Sequence, residues 1–286
     1  MTNRLDTWAM RQAMTNYNLH GYTVFKEVLD RELIQDARNH VDWLLHKNPD
    51  TRPEQLHHFL MQDDPFWVRL VSDDRLLDIA EKFIGPNIAL FASHYIAKAP
   101  LDGQAVLWHQ DGTYWPLEPM EVVTFWLAID NSDRENGCMR VIPNTQATRL
   151  FSEDELQQKD DGKNVLGSGI DPALLDVSKA VDVVLKAGDV SVHHPNLIHG
   201  SHANTSARWR RGLTIRYIPV TTRIITKELH PSAFVLRGQA VPNLNLYNPW
   251  PKYVAGKHMR FKGTEEWNVR CAQVNAANAG FITGSK

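Results

Sequence analysis

Two short stretches hold most of the chemistry that this chain could perform. The first is Leu107-Trp108-His109-Gln110-Asp111-Gly112. In extended backbone His109 and Asp111, two residues apart, project to the same side, so an imidazole and a carboxylate can meet one ion. The second is His193-His194-Pro195-Asn196-Leu197-Ile198-His199-Gly200. If the strands between the two stretches close into a barrel, His199 completes a face of two histidines and one carboxylate. That set leaves half an octahedron open, as non-haem iron(II) requires when it must bind a co-substrate and dioxygen. Alone, His-x-Asp is a weak signal, since an aspartate beside a turn often just fixes a histidine tautomer. Eleven residues past His199, Arg210 opens the next β-type run, Leu213-Thr214-Ile215-Arg216-Tyr217. A planar guanidinium at a barrel mouth can grip a carboxylate with two parallel hydrogen bonds. The plainer reading of Arg208, Arg210 and Arg211 is a solvated basic edge.

Composition narrows the field. The 286 residues include thirteen His and two Cys, Cys138 and Cys271, so any metal must be held by nitrogen and oxygen. Lys plus Arg is 31 against 33 Asp plus Glu, a net charge of -2 that gives no general attraction to nucleic acid or membranes. The chain contains no Gly-x-Gly-x-x-Gly after a strand, no phosphate-cradling loop, no His-Glu-x-x-His, no Cys-x-x-Cys and no nucleophile elbow. The opening MTNRLDTW has no apolar core, and the longest apolar run, Val122 to Ile129, is too short to cross a bilayer. The expectation is a soluble, cytoplasmic protein whose partner is a small molecule, not nucleic acid or membrane. Nothing in the sequence speaks to oligomeric state.

The elements that must position these residues are legible in outline. Tyr22 to Phe25 follows Gly21 and reads as extended. Asp30 caps a helix with apolar positions Leu33, Ile34, Ala37, Val41, Leu44 and Leu45 on one face. A second helix runs from about Arg75 to Ile84 and stops at Gly85-Pro86. From residue 88 the period shortens. Ile88–Lys98, Ala105–His109, Val122–Ile129, Met139–Ile142, Val181–Leu185, Asp189–His193 and Leu213–Pro219 are β-type runs separated by turn residues. That spacing favours a sandwich or barrel buttressed by the preceding helices. The polar stretch 152–172 reads as a lid, with plain solvated surface as the alternative, and the last fifty residues as an irregular extension ending in a short helix after Thr264.

Taken together, these stretches resemble the phytanoyl-CoA dioxygenase family of iron(II)/2-oxoglutarate-dependent oxygenases. The resemblance spans residues 17–220. It rests on His20-Gly21-Tyr22-Thr23-Val24-Phe25, Trp108-His109-Gln110-Asp111, Trp115, Glu135-Asn136-Gly137-Cys138, Val141-Ile142-Pro143, Gly188-Asp189-Val190 and His199-Gly200-Ser201. It implies a mainly β fold with N-terminal helices, a double-stranded β-helix or cupin-like jelly-roll. A single oxygenase domain would then span 1–286, with 1–87 as buttress, 88–220 as jelly-roll core and 221–286 as C-terminal extension. His109, Asp111 and His199 match the family's iron ligands, and Arg210 matches its arginine for the distal carboxylate of 2-oxoglutarate. Gln110, Trp126, Tyr95 and Lys98 match positions that line the co-substrate pocket. Two departures stand out: Pro143-Asn144-Thr145-Gln146 replaces the family's Pro-Gly-Ser-His, and the adjacent Arg211 would become the anchor if the strand register moved by one residue.

The implied reaction consumes dioxygen and 2-oxoglutarate, yields succinate and CO2, and hydroxylates an unactivated C–H bond. Halogenases of similar architecture have a small apolar residue at the carboxylate position, so Asp111 predicts hydroxylation. Candidate substrate contacts are His94, Trp108, Tyr114, Arg149 and Arg216; the two arginines, if inward, suit an anionic molecule. The same His/Asp/His set also fits a zinc hydrolase, and a non-catalytic barrel that binds a small molecule is the third reading.

Overall fold

The computed structural model describes residues 7–159, 162–226 and 228–282. The first six residues of the opening segment and Asp160-Asp161 of the polar stretch lie outside them. In chain order the elements begin with α1 (Thr7–His20), β1 (Tyr22–Phe25), α2 (Arg31–Lys47), β2 (Leu56–His57), α3 (Pro65–Val71) and α4 (Asp74–Ile84). Strands then dominate: β3 (Ile88–Tyr95), β4 (Val106–His109), β5 (Leu117–Glu118), β6 (Val123–Ala128) and β7 (Met139–Val141). Next come β8 (Gln157–Gln158), β9 (Ser168–Gly169), β10 (Val181–Asp182), β11 (Val190–His193), β12 (His199–Ser201) and β13 (Gly212–Pro219). The chain closes with β14 (Arg223–Ile224), β15 (Phe234–Arg237) and α5 (Thr264–Ala277). By its contacts it divides into two units whose segments interleave along the sequence.

The first unit comprises residues 1–28, 97–115 and 124–212. Its sheets are antiparallel: β1 pairs with β11 and β11 with β6, while β10, β7, β12 and β4 form a second layer in that order. Strand alternation decides what lies between the layers. Trp126 and Ala128 of β6 meet Met139 and Val141 of β7, joined by Val183, Leu185 and Leu197, with Tyr22 and Val24 of β1 packed alongside. Ile142 and Ile198, each one residue on from a member of that core, turn to the opposite side of the second layer. There they meet Phe151, Leu156 and Ile170. The polar stretch expected as a lid thus supplies apolar residues that cover the back of the sheet, and its β8 and β9 form a small hairpin.

The second unit comprises residues 29–96, 116–123 and 213–286. The Asp30 carboxylate caps α2 by accepting from the Leu33 N–H at 2.9 Å, and α4 stops at Gly85, whose φ of 82° suits glycine. Strand β3 is the organiser, paired with β2, β13 and β15. The residues after 221 are therefore more regular than expected: β15 joins the sheet, and the Trp250 indole donates to the Val235 carbonyl at 2.8 Å. Trp250 in turn stacks on Trp267 of α5, ring centroids 5.2 Å apart. Among the described residues, no helix is long and apolar enough to cross a membrane.

Candidate metal centre

His109 ends β4, His199 begins β12, and the two are direct antiparallel partners. Their rings face each other with centroids 4.1 Å apart. Leu197 shares His199's side of the chain and belongs to the core between the layers, so both imidazoles face that interior. β4 stops two residues short of Asp111, which opens a 3-10 turn. Gln110 between them stays extended, φ -118° and ψ 125°, and this keeps Asp111 on the side of His109. Ligand atoms of His109, Asp111 and His199 all lie within 4.8 Å of one another, and all three residues are buried.

The hydrogen bonds set the imidazoles for metal binding. His109 Nδ1 lies 2.8 Å from the Leu107 carbonyl and His199 Nδ1 lies 2.9 Å from the Leu197 carbonyl. A carbonyl only accepts, so each Nδ1 carries the proton and each Nε2 presents a lone pair. Burial, reinforced by the neighbouring His109 and His193, pushes His199 well below the ordinary histidine range and keeps it neutral. Asp111 Oδ1 is 3.6 Å from His109 Nε2. A borderline divalent ion with one carboxylate and two imidazole nitrogens suits this donor set, and the open half of its coordination sphere suits iron(II).

Along β6, Thr124 donates to Asp111 Oδ2 at 3.3 Å. Two residues further on the same face, a step of about 7 Å, Trp126 carries the Arg210 guanidinium over its ring at 5.2 Å. Arg210 is only 2% exposed. Its backbone exchanges two hydrogen bonds with that of Lys98, at 2.9 and 3.0 Å. The buried Lys98 ammonium donates to Ser201 Oγ at 2.7 Å and to the His202 carbonyl. Arg211 turns the other way, its Nε 3.6 Å from Asp130 and its guanidinium against Trp209. Of the two adjacent arginines, Arg210 is the enclosed one.

The other expected contacts have partners of their own. The Gln110 side chain is spent on backbone, donating to the Arg149 and Asn196 carbonyls at 3.2 and 2.8 Å and accepting from Phe151 N–H at 3.0 Å. Trp108, one residue before His109, packs with Tyr114 against the cluster behind the sheet, because alternation turns it away from His109. Arg149 does not face inward: its side chain is 58% exposed and pairs with Glu155 at 2.6 Å. In the second unit, Tyr95 is wholly buried with its hydroxyl 2.8 Å from His40 Nδ1. There, too, Arg216 Nη1 donates to His94 Nδ1 at 3.0 Å and to Thr214 Oγ1 at 2.8 Å. Thr124 escapes sequence reasoning altogether, since its link to Asp111 depends on strand register.

Comparison with known proteins agrees with this geometry. A Bos taurus protein named phytanoyl-CoA dioxygenase, peroxisomal, is 33% identical over 172 residues, 58% of this chain and 50% of its own. A Stutzerimonas stutzeri protein named probable alpha-ketoglutarate-dependent hypophosphite dioxygenase is 29% identical, covering 52% and 51% of the two chains. The chain spans about half the length of the curated relatives it matches. Among solved structures, the apo form of the non-heme monooxygenase ThoJ superposes with a TM-score of 0.66 at 18% identity, over 92% of this chain and 95% of the other. Iron-bound EctD from S. alaskensis gives a TM-score of 0.62 at 19% identity, over 85% and 90%. Likeness at that identity shows the fold, the cupin-like jelly-roll expected from the sequence. The model for the family described as phytanoyl-CoA dioxygenase (PhyH) matches residues 17–212, and the chain belongs to that family of iron/2-oxoglutarate oxygenases.

Proposed function

We propose that this chain is an iron(II)/2-oxoglutarate-dependent dioxygenase that hydroxylates a C–H bond of a small, anionic molecule. The observation that carries the reading is the buried His109, Asp111 and His199 cluster, with the enclosed Arg210 guanidinium one strand step along the same wall on Trp126. When bound, iron and 2-oxoglutarate supply the oxidising power, with 2-oxoglutarate converted to succinate and CO2. The protein's part is to bind, orient and exclude water. His109 and His199 offer Nε2 lone pairs, each fixed by a carbonyl at the other ring nitrogen. Arg210 receives the distal carboxylate of 2-oxoglutarate, with Trp126 as the wall behind it and Lys98 as a second buried cation beside the Arg210 backbone. Asp111 keeps the carboxylate position filled, and this supports hydroxylation over halogenation. Arg149 pairs with Glu155 at 2.6 Å and so drops out as the receiver of an acidic substituent on the substrate.

The test follows succinate. Purified protein with iron(II), 2-oxoglutarate and air is screened against small carboxylates, phosphonates and acyl thioesters, and succinate is measured against an oxygen-free control. Oxygen-dependent succinate coupled to a product heavier by one oxygen atom is the expected result. Turnover of a substrate without oxygen or 2-oxoglutarate would instead point to zinc hydrolysis.

A further inference from the structure

Asp111 has two carboxylate oxygens, and the chain surrounds them differently. Oδ1 faces His109, 3.6 Å from its Nε2. Oδ2 accepts from Thr124 Oγ1 at 3.3 Å and lies 3.7 Å from His193 Nε2. Thr124 on β6 and His193 on β11 are direct cross-strand partners, both buried. Side chains so paired project from the same face, and both bear on the same oxygen. A β-branched threonine has few χ1 choices, so the two paired strands set the direction of its hydroxyl.

We propose that Thr124 is a positioning residue that ties down Oδ2 and so holds Oδ1 of Asp111 beside His109, ready for a metal ion. This rests on the iron/2-oxoglutarate reading above. Its consequence is pre-organisation: with Oδ2 held by Thr124, Oδ1 already faces His109 Nε2, where an ion would be received, and less order has to be created on binding.

Metal binding without turnover tests the role. Metal-free wild type, Thr124→Val and Thr124→Ser are titrated with Mn(II) by calorimetry, and the thermal midpoint of each metal-free protein is recorded alongside. Removing the outer partner of a metal ligand typically costs 10–100-fold in affinity. Thr124→Val is therefore expected to weaken Mn(II) by at least about tenfold, Thr124→Ser to restore it to near wild type, and the metal-free midpoints to stay close together. Should valine disturb the sheet, Thr124→Ala makes the same deletion with a smaller side chain. Mn(II) binding by Thr124→Val and Thr124→Ala at wild-type strength would overturn the proposal. So would a serine variant as weak as valine, which would assign the loss to packing. If wild type itself takes up no Mn(II), the metal-centre reading fails and this inference with it.

Discussion

Arg210 and Arg211 are neighbours in sequence and opposites in structure, and exchanging each for methionine separates their roles. The Arg210 guanidinium is 2% exposed and lies over Trp126, so a carboxylate held there is screened little by solvent. Truncating one partner of such a buried, hydrogen-bonded charge pair costs about 2–5 kcal/mol. At about 1.4 kcal/mol per decade, that is a loss of roughly 30-fold to several thousand-fold in 2-oxoglutarate affinity. Arg210→Lys keeps the charge and loses the fork. One charged hydrogen bond, about 1.5 kcal/mol, then predicts a fall of about tenfold. Arg211 sits against Asp130 and Trp209, and Arg211→Met should leave the co-substrate untouched. The assay is the initial rate of succinate formation as 2-oxoglutarate is varied, with anaerobic 2-oxoglutarate binding as a check independent of turnover. An Arg210→Met KM within threefold of wild type, or an equal rise in Arg211→Met, would refute the assignment.

Three further perturbations follow from local geometry. Gln110→Leu removes three hydrogen bonds to backbone that is at least partly enclosed; at about 1 kcal/mol each, it should lower the thermal midpoint by on the order of 5–10 °C, and an unchanged midpoint would contradict that structural role. Gly212→Ala would place a Cβ 2.2 Å from Trp126 Cζ2, an overpacking worth about 1–3 kcal/mol that should also raise the KM for 2-oxoglutarate; a crystal structure with Trp126 unmoved would argue against it. Burial pushes His58 down to about 3 and His230 down to about 4. Their folded values lie below the ordinary one, so the unfolded chain takes up protons first as pH falls. Their stabilising contribution is complete above about pH 6.5 and is lost as pH drops toward 4. The thermal midpoint should fall across that window, less steeply in His58→Gln and His230→Gln, and identical slopes in all three would count against the cause.

Local patterns carried far in this sequence, and register carried the rest. The Asp30 cap, the α4 stop at Gly85 and strand β1 all follow from nearest neighbours. His109 and Asp111 needed only two-residue alternation, and His199 with Arg210 only a fixed spacing read beside a family resemblance. Direction across longer distances is not written in local pattern. Trp108 lies beside His109 in sequence, and the same alternation that aligns His109 with Asp111 sends Trp108 behind the sheet. The stretch 152–172 looks polar because its few apolar residues, Leu156 and Ile170 among them, are far apart, yet these are the ones that pack. Thr124 and His193 converge on Asp111 only through the pairing of β6 with β11, which no local motif encodes. β15 is a short run amid Pro and Asn that shows no alternation until β3 supplies its partner.

The most direct test of the metal centre needs no substrate. Metal-free protein is mixed anaerobically with iron(II) and 2-oxoglutarate, and the visible spectrum is recorded for wild type, His199→Ala and Asp111→Ala. A charge-transfer band that requires both additions in wild type, and is lost in both variants, is the predicted result. No band in wild type, or a band that survives His199→Ala, would contradict the assignment of His109, Asp111 and His199 as the site that holds iron for 2-oxoglutarate.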